Sequence, residues 1–297
     1  MREFTVGIND GGQRLDKFIL KLMPRLPKSM LYKGLRKKCV RLNGKHIKDG
    51  ACFVSAGDVL MLYFADEFFE RNTHFNYVKP DFDVVYEDSN ILIVNKPSGL
   101  LSHSDDKGNG VGLVDMVKSY LYDKGEYSPD GEQTFSPALC NRLDRNTSGL
   151  VIAAKNAVSL REVNKSIKNR QIRKFYTAVV EGTPPDSGHI EGKLSRDGYV
   201  SKASDEGKNA SLDYRVISRK DGCSLVEIEL YTGRTHQIRA QFSGIGYPLL
   251  GDTKYGGHGE KFRQLLCSTK MILNFDRESE LFYLDGKEIE ISPPFRL

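Results

Sequence analysis

Short apolar runs of strand length, set apart by tight-turn dipeptides, leave few folds open to this chain. Residues 39–47 (CVRLNGKHI) alternate around Asn43-Gly44, and residues 211–218 (SLDYRVIS) meet 223–231 (CSLVEIELY) across Asp221-Gly222. Residues 280–291 (ELFYLDGKEIEI) repeat the device at Asp285-Gly286, and 83–87 (DVVYE) and 91–95 (ILIVN) flank the turn 88–90. Two-residue turns of this kind need positive φ at both central positions, which Asn, Asp and Gly tolerate, and they return the chain antiparallel. Residues 150–154 (LVIAA) are apolar without alternation and predict a strand buried on both faces. Helical spacing is confined to a few segments, among them 113–122 and the basic 159–169, where Leu160, Val163 and Ile167 point inward. The pattern predicts an α+β fold on a mixed, mainly antiparallel sheet. No evenly spaced repeat points to a solenoid.

The N-terminal quarter differs in charge. Between Gly12 and Lys48, twelve Lys and Arg face one acid, Asp16, a net +11; the other residues carry −6, for a total of +5. A compact basic module on a mildly acidic body is the footprint of a polyanion-binding appendage. Within it, Leu15, Phe18, Ile19 and Leu22 have helical spacing, and Pro24 and Pro27 end that helix. A second helix is expected from about Ser29, as N-cap, to Lys38, with Met30, Leu31 and Leu35 inward and Lys33, Arg36, Lys37 and Lys38 in solvent. Strands at 39–47 and 58–64 close the unit. Two helices, then a small sheet, with positive charge around the second helix, resemble the S-four-type RNA-binding domain. The expected division is that domain over 1–72, a linker over 73–80 and a larger domain over 81–297.

What is missing narrows the function. No apolar run approaches the ~18 residues of a membrane span, and the N-terminus lacks a signal-like apolar stretch. The five cysteines are scattered without a CxxC pair, and the six histidines form no ligand spacing, so reduced thiols and no metal are expected. A cytoplasmic protein, monomeric by default, fits these features.

The chemistry-bearing segment is NRLDRNTSG (141–149), which runs into LVIAA and Lys155. It delivers one carboxylate, Asp144, on a loop at the mouth of a buried strand, where catalytic groups concentrate. This string resembles the pseudouridine synthases of the large-subunit ribosomal RNA type, whose pattern is His-Arg-Leu-Asp-x-x-Thr-Ser-Gly; here Asn141 replaces the His. NKPSGLLSH (95–103), KFYTAVVEG (174–182), YTGRTHQIRAQF (231–242) and GDTKYGG (251–257) are similar to the family's further segments, in order.

The resemblance implies an enzyme that converts uridine to pseudouridine in structured RNA, ribosomal RNA foremost. It assigns Asp144 as nucleophile, Arg234 as the guanidinium that holds it, and Tyr176 as the ring against the target uracil. Arg142 is implied to fill the gap left by the flipped nucleotide. Lys155, Arg173, Lys174 and Arg239 are candidate phosphate contacts, and His236 is a candidate to orient the Arg234 loop. The reaction breaks the bond from the anomeric carbon to the uracil nitrogen, turns the base and reattaches it through carbon. With no redox step and no group donor, it needs no cofactor. A non-catalytic RNA-binding factor would be expected to have lost the Asp or its arginine, and a hydrolase needs a second carboxylate and a positioned water.

Overall fold

The structure is a computed structural model that describes residues 1–70, 75–104, 110–198, 200–259 and 263–297. The expected boundary at 72/73 falls outside them. In chain order the N-terminal module comprises β1 (Arg2–Thr5), β2 (Gln13–Arg14), α1 (Leu15–Leu22), α2 (Lys28–Arg36), β3 (Val40–Leu42), β4 (Lys45–His46), β5 (Phe53–Val54) and β6 (Val59–Leu62). The order β1-β6-β3-β4 makes one small antiparallel sheet, and β2 pairs with β5. Leu15, Phe18, Ile19, Leu31, Leu35, Leu60 and Leu62 form its own core. Helix α2 starts one residue before Ser29, with Pro27 at the N-cap, and Met30 is exposed. Proline suits that end because its missing N–H has no helical partner there.

The larger domain adds β7 (Asp83–Glu87), β8 (Ile91–Lys96), α3 (Leu113–Asp123), β9 (Ala138–Leu139), β10 (Ser148–Ala154), α4 (Ala157–Lys168) and β11 (Arg173–Glu181). It continues with β12 (Ser187–Asp197), β13 (Val200–Ala203), β14 (Lys208–Lys220), β15 (Cys223–Leu230), α5 (Gln237–Gly244), β16 (Leu266–Leu273) and β17 (Lys287–Glu290). Its sheet runs β13-β12-β14-β15-β11-β16-β10-β8-β7, with β9 on β10 and β17 on β16. Every named pairing is antiparallel except β10 with β16. Residues 280–284 do not form the expected first strand of a hairpin. Leu281 and Leu284 instead turn into the core, Leu284 from a short 3-10 helix, and only β17 joins the sheet.

Period-two alternation explains the two cores. In β8 and β10, Leu92, Val94, Val151 and Ala153 face one side, packed with Val117 of α3 and Phe242 of α5. Ile91, Ile93, Leu150 and Ile152 face the other, packed with Val163 of α4. A strand apolar at every position is thus one covered on both faces.

The basic module is docked through polar bonds. Asp10 is fully buried and accepts from the Thr134 backbone N–H at 3.0 Å and from the Thr134 hydroxyl. Asn9 Nδ2 donates to Glu132, Gln133 Nε2 to the Thr5 carbonyl at 2.7 Å, and Arg161 of α4 to the Gly11 carbonyl at 3.1 Å. No helix of the described residues is long and apolar enough to cross a membrane.

Candidate active site

Asp144 sits between two anchors. Before it, Leu143 is buried in the core, and its backbone is clasped by Ser102, whose hydroxyl donates to the Leu143 carbonyl at 2.8 Å and accepts its N–H at 3.1 Å. After it, Gly149 has φ 111° and lies beside β16, where a Cβ would stand 2.3 Å from the Ser268 carbonyl oxygen. Only glycine lets the chain leave the loop and enter β10 at that approach. Asn141 continues the strand ladder with its side chain. Its Oδ1 accepts from Ile152 N at 2.8 Å and its Nδ2 donates to the Leu150 carbonyl at 3.3 Å.

A buried lysine ties this loop to residues 95–103. Lys96 Nζ donates to the carbonyls of Pro97 (2.9 Å), Leu100 (2.7 Å) and Arg145 (3.1 Å), matching an ammonium's three donors with three acceptors. Burial lowers its pKa to about 8, with the Asp144 charge pulling the other way. Arg145 Nε also donates to the Gly99 carbonyl, the Arg145 carbonyl accepts the Gly99 N–H, and the Ser98 hydroxyl donates to the Asn146 carbonyl.

The guanidinium at Asp144 is that of Arg239, not Arg234. Arg239 Nη1 lies 3.1 Å from Asp144 Oδ2, while its Nε and Nη2 grip Asp252 at 2.6 and 2.8 Å. Arg239 is therefore engaged by two carboxylates. Burial works against its charge, but the bonds to Asp252 and Asp144 outweigh it and raise its pKa. Arg234 donates through Nε to the Asn209 carbonyl at 2.9 Å. The helix explains the difference: α5 begins at Gln237, so Arg239 rides on a rigid first turn, whereas Arg234 belongs to the loop before it. That loop is braced by Gln237, whose Oε1 accepts from Arg234 N and the Thr232 hydroxyl. His236, left-handed at φ 52°, has Nε2 3.8 Å from Asp144 Oδ2.

Tyr176 lies on β11 in the core beneath the site, 6% exposed. Burial pushes its phenol pKa upward, and the Asp144 charge adds to this. Arg142 is exposed at the loop, and its charge is felt by His103. Three other candidate phosphate contacts are placed differently. Lys155 is buried against Glu87 at 3.0 Å, Glu126 and the Asp88 carbonyl, because β10 ends beside that acidic pair. Arg173 is held bidentately by Glu229 at 2.7 and 3.0 Å. Lys174 is half-buried, which lowers its pKa. Lys33, Arg36, Lys37 and Lys38 are all exposed on and after α2.

Sequence reasoning overlooked Lys96 and Asp252. Both lie inside recognisable segments, 95–103 and 251–257, but a lone Lys before Pro or Asp after Gly carries no signal of what it will bond. Among the described residues no group of three or more His, Cys, Asp or Glu is placed to hold a metal.

The family model for RNA pseudouridylate synthase matches residues 90–244, and that for the S4 domain matches 13–60. An uncharacterized RNA pseudouridine synthase of Mycoplasma capricolum is 34% identical, covering 99% of this chain and 98% of that protein. A ribosomal large subunit pseudouridine synthase D of Buchnera aphidicola is 33% identical over 83% of this chain and 76% of its own length. Among solved structures, human RNA pseudouridylate synthase domain containing 4 superposes with a TM-score of 0.57 at 22% identity, over 71% of this chain and 88% of that one.

Proposed function

The chain belongs to the RNA pseudouridylate synthase family and carries an S4 domain, and from that premise we propose that it isomerises particular uridines of large-subunit ribosomal RNA with Asp144 as nucleophile. It is an RNA pseudouridine synthase, an isomerase. The ribosomal target is supported by relatives named for the large subunit and by the basic module at the N-terminus.

The observation that carries the reading is the Asp144–Arg239–Asp252 arrangement. A guanidinium gripped on one side by a fully buried carboxylate has its plane fixed, and its remaining Nη1 holds Asp144 aimed. Either route to the product starts from that carboxylate: attack on the anomeric carbon, or removal of the neighbouring sugar proton to give a glycal. In both, the carbon–nitrogen bond breaks and the freed uracil turns. Carbon 5 bonds the sugar and loses its proton, and the released nitrogen ends protonated, so nothing is gained or lost overall.

The reacting bond is out of reach while the base is stacked, so the uridine must leave the helix at a cost of a few kcal/mol. Exposed Arg142, two residues before the nucleophile, is suited to occupy the vacated space. Tyr176, whose phenol is held neutral by its burial, suits packing against the uracil ring better than accepting a proton. The α2 cations would grip phosphates. The test is Asp144→Ala: pseudouridine formation should vanish while RNA affinity stays within about twofold, since one half-buried carboxylate contributes little to phosphate binding. Isomerisation at a comparable rate would defeat the assignment.

A further inference from the structure

His236 does more than start a helix. Its Nδ1 lies 2.9 Å from the Tyr255 hydroxyl, and that hydroxyl accepts the backbone N–H of Ser201, in β13, at 2.7 Å. The two rings stand edge to face, with centroids 5.6 Å apart. A phenol has one proton to give, and a backbone N–H can only donate. Among the described residues, the one acceptor in reach of the Tyr255 proton is therefore His236 Nδ1. Nδ1 is then bare, the ring proton sits on Nε2, and Nε2 is the atom that faces Asp144 Oδ2 at 3.8 Å.

Arg239 Nη1 approaches the same oxygen at 3.1 Å. Both donors thus converge on Oδ2. We propose that His236 is a positioning residue for the nucleophile: a neutral imidazole, its tautomer set by Tyr255 and Ser201, whose Nε2–H holds Asp144 Oδ2 and so aims the carboxylate at the ribose. The 3.8 Å separation is longer than a hydrogen bond and closes when RNA fills the site, as long contacts in unliganded active sites do. Neutrality matters, because an imidazolium would discharge the carboxylate a second time and repel Arg239. Burial lowers the His236 pKa, Arg239 and Lys254 push it the same way, and Asp144 and Asp252 oppose them. The left-handed backbone at His236 is what turns its ring toward Tyr255 as the helix begins.

The inference rests on Asp144 being the nucleophile, but its first readout does not. In full-length protein with 15N-labelled histidine, long-range proton–nitrogen correlation at pH 7.5 should show His236 protonated on Nε2 alone, with the signal assigned by its loss in His236→Gln. Tyr255→Phe removes the proton donor and should leave a tautomer mixture. Its kcat should fall about 10- to 100-fold with KM for RNA nearly unchanged, the signature of a misaimed group. His236→Ala should lose as much, and His236→Gln, which restores a donor near the Nε2 position, should recover most of it. An Nδ1-protonated or doubly protonated ring in the wild type, or an unchanged kcat in Tyr255→Phe, overturns the proposal. Wild-type-like activity in Asp144→Ala would instead sink the nucleophile reading, with the ring proton still on Nε2.

Discussion

At the scale of single residues, the account turns on which arginine serves the nucleophile. Asp252 grips Arg239 on two nitrogens, a geometry that a lysine's point charge cannot reproduce. Arg239→Lys should therefore lower the single-turnover rate at least about 100-fold, while Arg234→Lys should cost under about tenfold. Equal losses in rapid-quench assays would contradict the assignment. Asp252→Ala leaves a buried guanidinium half-paired and should destabilise the fold by about 3 kcal/mol in urea titration. Lys96 gives a pH test. Its folded pKa, about 8, lies below the ordinary lysine value of 10.5, so the unfolded chain binds its proton more tightly between those values. This group's contribution to stability therefore rises with pH across that window, as the buried amine gives up its charge. Activity should move the other way. A neutral amine has two N–H groups for three carbonyls, the Asp144 loop loosens, and the single-turnover rate should fall with a midpoint near pH 8. A rate flat to pH 10 would contradict this role. Asp144 was legible in the sequence because its neighbours form a specific string. Arg239 was in plain view among the phosphate candidates, and its contact with Asp144 shows only once the helix start is known.

At the scale of elements, strands announced themselves and ends did not. The alternating runs of β14 and β15 are where the sequence puts them, since each residue's face follows from its parity. The segment 280–284 looked like a strand because it is apolar. It is buried by a local turn instead, and composition cannot separate the two. The meeting of β10 and β16 is the element-level constraint on the site. Gly149→Ala puts a Cβ at φ 111° within 2.3 Å of the Ser268 carbonyl, and should cost at least about 2 kcal/mol and displace the Asp144 loop. A melting temperature within one degree of the wild type would contradict it. Charge was the least legible property. Lys155 and Arg173 read as cations available to RNA, yet carboxylates remote in sequence hold them both. Salt dependence separates the classes. Alanine at Lys33, Arg36, Lys37 and Lys38 together should flatten the slope of log affinity against log salt by about 3 units, roughly 0.7 to 0.9 for each of four phosphates no longer neutralised. Lys155→Ala should leave the slope unchanged.

At the scale of the whole molecule, the basic module and the larger domain, among the described residues, have separate apolar cores and are joined by hydrogen bonds. Among the described residues Asp10 is the fully buried charge in that seam, with Thr134 as its partner. Composition separates the module from the body but carries no trace of the docking, because short polar loops bond according to where the fold brings them. Asp10→Ala should let the module swing free, seen as an increased radius of gyration in solution scattering with catalysis on short RNA retained; an unchanged radius would contradict a pinned seam. The central claim is that this enzyme modifies large-subunit ribosomal RNA through Asp144. Nucleotide-resolution pseudouridine mapping of total RNA tests it most directly, in cells lacking the gene and complemented with either wild type or Asp144→Ala. The account predicts large-subunit sites that vanish on deletion and return only with the wild type. Restoration of those sites by Asp144→Ala, or large-subunit RNA unchanged by the deletion, would contradict it.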